Sequence, residues 1–436
     1  MSNHENTTPQ IVTLGCRLNT LESEVMRDEL DRAGADDAVI VNTCAVTAEA
    51  ERQARQTIRR LKRERPDARI IVTGCAAQLD PAKFAAMDEV DRVVGNAEKL
   101  NGETLLGNGA HDASIIAVSD IAEIKETAGH LVSGLEGRTR AFVMVQQGCD
   151  NDCTFCIIPT ARGPNRSVPF DQIVAQVQKL ARAGHLEVVL TGVDIAAYGS
   201  DIGLCDADGT GLTAVIRGIL ERTPELARLR LSSLDPARLD EDFFELLGGE
   251  PRLMPHLHLS LQAADDMVLK RMKRRHTVAD VLRIVDRAQT VRPDTVFGAD
   301  LIAGFPTETD AMFATTLKNV QAMGLQYLHV FPYSSRPGTP AAKMPQVSGD
   351  TVKARARQLR QAGDAALSRH LDRLSGTLQT VLVEKPGFGR TETFAPVSLG
   401  GEAKSGTLVS VCVNGHKDGE LIAASEACGL PPQAAQ

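Results

Sequence analysis

Short apolar runs recur along the first third of the chain, each followed by a helical pattern. Ile11-Val12-Thr13-Leu14, Ala38-Val39-Ile40-Val41 and Ile70-Ile71-Val72-Thr73 predict strands, with helices over Thr20 to Ala33 and Ala48 to Arg65. Continuous rather than alternating apolar runs suit a parallel sheet covered on both faces. Val93-Val94 and Ile115-Ile116-Ala117-Val118 extend the series. A polar stretch of weak pattern, His111 to Arg138, leads to six more strand-like runs that alternate with helices. They are Ala141 to Gln146, Glu187 to Leu190, Arg228 to Leu231, His256 to Leu261, Val296 to Ile302 and Tyr327 to Phe331. Six βα units fall short of a closed eight-stranded barrel. The expectation is an open, partial (β/α)6 barrel whose gap admits a large substrate. After a polar helix, Thr351 to Leu374, the pattern changes. Thr380 to Val383, Leu408 to Val413 and Leu421 to Ala423 alternate with glycine-rich turns and predict a separate, small antiparallel β-barrel. The fold class is α/β, in three units at 1–130, 135–370 and 375–436.

Composition narrows this picture. The chain has 436 residues, no Trp and only 3% aromatic residues, so its cores must be aliphatic. Met1 to Gln10 is polar and carries no apolar signal segment, and no run approaches a membrane span. A reducing cytoplasm, with no membrane, is the expected setting, and there cysteines point to metal or catalysis. The net charge of −8 does not advertise nucleic-acid binding. Its distribution is more informative. Arg52, Arg55, Arg59, Arg60, Lys62, Arg63 and Arg65 crowd one helix, and Lys270, Arg271, Lys273, Arg274, Arg275 and His276 form a second basic run. Either is explained by a solvated face, and together they are candidate phosphate contacts.

The chemistry concentrates in cysteines. Cys149, Cys153 and Cys156 have the spacing C-x3-C-x2-C on the loop after a strand. Three thiolates this close can hold three irons of a 4Fe–4S cube and leave the fourth open to a small molecule. Structural zinc wants four ligands, and no second pair lies nearby. Phe155 would shield such a cluster. Cys16, Cys44 and Cys75 each follow one of the first three strands. Parallel strands bring their carboxyl ends to one edge, so these cysteines should converge as a second three-cysteine iron–sulfur site. Cys205, Cys412 and Cys428 are isolated and read as structural or incidental.

Taken in order, these residues resemble the methylthiotransferase family of radical S-adenosylmethionine (SAM) enzymes. The resemblance runs through Gly15-Cys16-Arg17-Leu18-Asn19, Val41-Asn42-Thr43-Cys44 and Thr73-Gly74-Cys75. It continues from Gln147 to Gly163, Arg166-Ser167, Thr191 to Asp194 and Phe331 to Ser334. The tail resembles a shortened TRAM domain, an RNA-binding barrel, over Glu392 to Val397. The Gly-Cys-Arg-Leu-Asn start and Ile157-Ile158-Pro159-Thr160-Ala161-Arg162-Gly163 are most similar to the branch acting on N6-threonylcarbamoyladenosine in tRNA. Other branches act on isopentenyladenosine or on an aspartate of a ribosomal protein. One departure is Ala263-Ala264, where the family commonly has Ser-Gly.

The resemblance implies two 4Fe–4S clusters, SAM, a tRNA substrate and a reducing electron donor. SAM would be cleaved at the Cys149/Cys153/Cys156 cluster, and the Cys16/Cys44/Cys75 cluster would supply sulfur. Gly192, Asp194, Ser232, Gln262, Asp300, Gly304 and Glu308 are the candidate SAM contacts; no general base is implied. A two-cluster electron carrier and a zinc-bound RNA-binding protein are the alternatives from other classes. A carrier would normally close each cluster with four ligands.

Overall fold

The computed structural model describes residues 9–424 except 36, 108–113, 125–138, 205–210 and 402. The polar 111–138 stretch and Cys205 and Cys428 therefore lie wholly or largely outside the described residues. The first sheet is built from β1 (Gln10–Thr13), β2 (Ala38–Thr43), β3 (Arg69–Gly74), β4 (Arg92–Val94) and β5 (Ile116–Ala117), in that spatial order. All four pairings are parallel. Helices α1 (Arg17–Ala33) and α2 (Ala48–Glu64) follow β1 and β2, and α3 (Cys75–Leu79), α4 (Pro81–Ala85) and α5 (Gly102–Leu106) are single-turn pieces. Gly34, in the left-handed region at φ 62°, ends α1, and the Thr47 hydroxyl accepts from Ala50 N to start α2. β2 is buried along its whole length, as its uninterrupted apolar run predicts.

The central unit runs through β6 (Arg140–Met144), a small hairpin-like pair β7 (Gln146–Gln147) and β8 (Arg166–Ser167) with α6 (Ile158–Arg162) between them, α7 (Phe170–Arg182) and β9 (Glu187–Thr191). It continues with α8 (Gly211–Arg222), β10 (Arg228–Leu231), β11 (Ser233–Leu234), α9 (Glu241–Gly249), β12 (His256–Gln262) and α10 (Asp266–Arg271). α11 (Val278–Val291), β13 (Val296–Ala303), α12 (Asp310–Ala322), β14 (Tyr327–Pro332) and α13 (Gly349–Leu374) complete it. The parallel strands form two sheets, β6-β9-β10 and β11-β12-β13-β14. β10 and β11 are one strand interrupted at Ser232, so the two sheets read as six consecutive strands of an open barrel. The six expected strands are all present.

The tail is a closed barrel of β15 (Leu378–Lys385), β16 (Phe388–Thr391), β17 (Pro396–Ser398), β19 (Glu420–Ala423) and β18 (Leu408–Lys417), in that spatial order. It differs from expectation in three ways. β16 and β17 are short and sit among turn residues, so their periodicity is too brief to read. The β17–β19 pair is parallel, in a barrel expected to be antiparallel throughout. Cys412, on β18, is not isolated but disulfide-bonded.

The tail also packs against the central barrel. Its β16–β17 turn plugs the end of the central barrel where the strands begin. Arg228 donates to Thr380 O (2.8 Å), Arg230 to Glu392 O (3.1 Å) and Tyr327 Oη to Thr393 O (3.1 Å). The Phe394 ring stacks on His256 with centroids 5.1 Å apart, and the guanidiniums of Arg140, Arg230 and Arg390 lie 5.0, 5.0 and 4.4 Å from its centre. Phe394 itself sits at φ 70°, a strained backbone that this packing holds. The opposite end of the barrel, where the strands finish, faces the first sheet.

Candidate active site

The first three cysteines do converge. Cys16 directly precedes α1, Cys44 follows β2 and Cys75 opens α3. A Cβ on Gly15 would come within 2.9 Å of Cys44 Sγ, and one on Gly74 within 2.4 Å of Thr43 O. Both glycines have positive φ, so only glycine lets these turns approach. That is the physical content of the repeated Gly-Cys. Val46 N points at Cys44 Sγ (3.5 Å), Arg162 Nε at Cys75 Sγ (3.2 Å) and Asn96 Nδ2 at Cys75 Sγ (3.9 Å).

The second set is held as tightly. A Cβ on Gly148 would lie 1.7 Å from Pro164 O, so the turn before Cys149 also requires glycine. Asn151 N and Ile158 N each point at a thiol, Cys149 and Cys156, at 3.4 Å, and Arg274 Nη1 lies 3.4 Å from Cys153 Sγ. Gln146 ties this loop to the end of β9: its Oε1 accepts from Val193 N (3.0 Å) and Asp194 N (2.8 Å), and its Nε2 donates to Gly148 O (2.6 Å). Phe155 packs edge-on against Phe305 at 6.5 Å.

Burial pushes the thiols of Cys44 and Cys149 up to about 11 and that of Cys156 up to about 12. Thiols so raised become ligands when a metal takes the proton's place. With N–H groups and a guanidinium aimed at the sulfurs, both sets have the donor chemistry that an iron–sulfur cluster needs.

Between the two sets lies a cavity of about 620 Å³, lined by Cys16 from the first and Cys156 from the second. Of the candidate SAM contacts, Gly192, Ser232, Gln262 and Asp300 line it. The Ser232 hydroxyl is buried with no protein partner, and Gln262 is held at φ 69°. Asp194 is not among the lining residues; its carboxylate accepts from Asn151 Nδ2 at 2.8 Å and so braces the cysteine loop. Gly304 and Glu308 do not reach the cavity. A Cβ on Gly304 would meet Val352 of α13 at 2.5 Å, and Glu308 pairs with Arg355 (2.8 Å) while accepting from Gly304 N (3.0 Å). These two residues fasten α13 to the barrel. Ala263 and Ala264, both buried, pack at the start of α10.

Sequence reasoning missed the polar lining below the rim. His258 Nε2 and His329 Nδ1 lie 3.0 and 3.3 Å from Asp300 Oδ1. The signal was present: β12 alternates His256-Leu257-His258-Leu259-Ser260-Leu261-Gln262, which sends every polar residue to one face. It also missed the buried network that joins the first sheet to the barrel. Arg162 donates to Glu22 Oε1 (2.8 Å) and Asn19 Oδ1 (2.7 Å), and Lys99 donates to Glu22 Oε2 (2.6 Å) and Asn96 Oδ1 (2.7 Å). The second basic run is largely committed here too. Arg274 and Arg275 pair with Asp235 at 3.2 and 2.8 Å, and Lys273 with Asp152 at 2.6 Å.

The profile of the Radical SAM superfamily matches residues 143–320, and that of Uncharacterized protein family UPF0004 matches residues 8–95. Threonylcarbamoyladenosine tRNA methylthiotransferase MtaB of Rickettsia prowazekii is 48% identical over 420 residues, covering 95% of this chain and 97% of that one. The chain belongs to the radical SAM methylthiotransferase family. The protein of the same name from Thermotoga maritima is 35% identical, covering 86% of each chain. A tRNA-2-methylthio-N(6)-dimethylallyladenosine synthase of Cereibacter sphaeroides is 36% identical, covering 80% of this chain and 81% of that one. In fold the chain is similar to the radical SAM methyltransferase TsrM of Kitasatospora setae, with a TM-score of 0.56 at 16% identity over 87% of this chain and 79% of that one. Family membership makes this methylthiotransferase a radical SAM enzyme, with SAM and a 4Fe–4S cluster as cofactors. Among the described residues no helix is long and apolar enough to cross a membrane.

Proposed function

We propose that this methylthiotransferase adds a methylthio group to C2 of N6-threonylcarbamoyladenosine beside the anticodon of tRNA. What carries the reaction class is the cavity lined by Cys16 of one three-cysteine set and Cys156 of the other. What carries the substrate is the 48% identity to a relative named for it, together with Arg17 after Cys16 and the Pro159-to-Gly163 stretch.

Cys149, Cys153 and Cys156 would hold the SAM-binding cluster, and Cys16, Cys44 and Cys75 a second 4Fe–4S cluster. With SAM and both clusters bound, the site supplies reductive SAM cleavage on one side and sulfur on the other. The protein's own part is placement. Arg274 and the backbone amides orient the thiolates, and Gln146 fixes the β9 end against the cysteine loop. Gly192, Ser232 and Gln262, which line the cavity, would contact SAM there. Val46 and Phe331, exposed apolar residues at the cavity, offer a face for a base taken out of the anticodon-loop stack. The proposed units are 1–130, 135–370 and 375–436, with the last a TRAM-like RNA-binding barrel. The setting is cytoplasmic, and a reducing electron donor is required. Nucleoside mass spectrometry of tRNA from cells lacking the chain tests this reading. Loss of 2-methylthio-N6-threonylcarbamoyladenosine is expected; its persistence with loss of the isopentenyl analogue would assign the other tRNA branch.

A further inference from the structure

Among the described residues Arg17 is a cation without a paired counterion on the cavity wall. It is the first residue of α1, half-buried, and lines the cavity beside Cys16. Among the described residues it makes no ion pair. The charged groups that act on it most are Arg140, Arg230 and Arg390 on one side and a single carboxylate, Asp300, on the other. Asp300 is already shared by His258 and His329 at 3.0 and 3.3 Å. The three arginines pair with other carboxylates: Arg230 with Glu187 (2.8 Å), and Arg140 and Arg390 share Glu384 (2.8 and 3.5 Å). The first turn of α1 carries no acidic residue, and the Cys16 side chain gives no cap, so the amides of that turn add donors rather than acceptors. A guanidinium left this way has donor capacity that a ligand must fill.

We infer that Arg17 is the seat for the substrate's carboxylate and thereby sets which modified adenosine the enzyme accepts. This rests on the substrate reading above. A threonylcarbamoyl group ends in a carboxylate, whereas an isopentenyl group is apolar and would leave a desolvated guanidinium unpaired. A planar carboxylate fits the fork of Arg as a bidentate partner. A backbone phosphate is the poorer fit, because the cavity is flanked by apolar Val46 and Phe331. SAM also carries a carboxylate. Arg17, however, stands on the first sheet's side of the cavity, next to Cys16, whereas the SAM-binding loop carries Cys156 on the other side.

The test uses the reconstituted holoenzyme and two anticodon stem-loop RNAs. One carries N6-threonylcarbamoyladenosine; in the other the threonyl carboxylate is the neutral primary amide. The wild type should bind the acid roughly ten- to hundredfold more tightly than the amide, the range for a charge-assisted pair. Arg17→Gln should erase that preference by weakening the acid, and Arg17→Lys should restore part of it. Equal binding of acid and amide by the wild type would overturn the inference without any variant. So would a preference retained in Arg17→Gln. A fall in SAM affinity in Arg17→Gln, measured without RNA, would assign the guanidinium to SAM and overturn it as well. Methylthiolation is followed in the same samples. A wild type that prefers the acid but leaves it unmodified would sink the substrate reading while the carboxylate seat stands.

Discussion

Glu22 shows how a single residue can hold two units together. Burial pushes its carboxyl up, but the charges of Arg162 and Lys99 outweigh burial and hold it down at about 2. A carboxyl lowered from 4.5 to about 2 contributes stability that is full above pH 4.5 and is lost as pH falls toward 2. Glu22→Gln leaves two buried cations unpaired and should cost about 3–5 kcal/mol. Denaturant unfolding at pH 7 measures this, and the variant should also lose less stability than the wild type between pH 4.5 and 3. The same residues touch Cys75 through Arg162, so iron content at the first set should fall with stability. Arg274→Ala removes the guanidinium at Cys153. The cluster's reduction potential should become more negative and its electron paramagnetic resonance signal should change, because a cation beside a thiolate favours the electron-rich state. An unaltered spectrum and potential would separate Arg274 from the cluster. The cysteines were legible because their spacing is set by covalent sequence and strand order. The pairing of Glu22 with Lys99 and Arg162 was not, because charged residues read as surface until a fold buries them together.

At the scale of elements, long periodic runs were readable and short ones were not. α13, at 26 residues, and the six barrel strands came from the pattern. β16 and β17 did not, and with them went the plug. Phe394 sits in the turn between those strands, and its partners His256, Arg140 and Arg230 lie at the starts of barrel strands far away in sequence. No local signal joins them. The consequence is that the tail cannot be removed cleanly. Truncation after residue 376 would strip Arg228, Arg230 and Tyr327 of their acceptors Thr380 O, Glu392 O and Thr393 O. Such a protein should unfold at lower denaturant and retain little SAM cleavage; a truncated chain with full stability would refute the plug. The milder Phe394→Ala should cost about 3–5 kcal/mol through lost packing, with the φ 70° strain retained because alanine keeps its Cβ. Its binding to tRNA, measured where it remains folded, then reports the tail's RNA contribution separately.

The whole molecule places its two cysteine sets across one cavity. The first sheet presents its carboxyl edge to the carboxyl ends of the barrel strands, and Arg162, Glu22 and Lys99 lock the two. The tail closes the far end of the barrel, which leaves the cavity at the cysteine end as the side from which substrate would enter. Sequence order gave each sheet edge separately; only the buried contacts between them make the sets face each other.

That division of labour is the central claim, and one assay tests it. The triple variant Cys16→Ala, Cys44→Ala and Cys75→Ala is reconstituted anaerobically beside the wild type. Iron, 5′-deoxyadenosine and methylthiolated nucleoside are counted in the same tube. The triple variant should hold one 4Fe–4S cluster per chain, continue reductive cleavage of SAM and make no methylthiolated product. Methylthiolated tRNA from that variant, or the iron of two clusters, would contradict it.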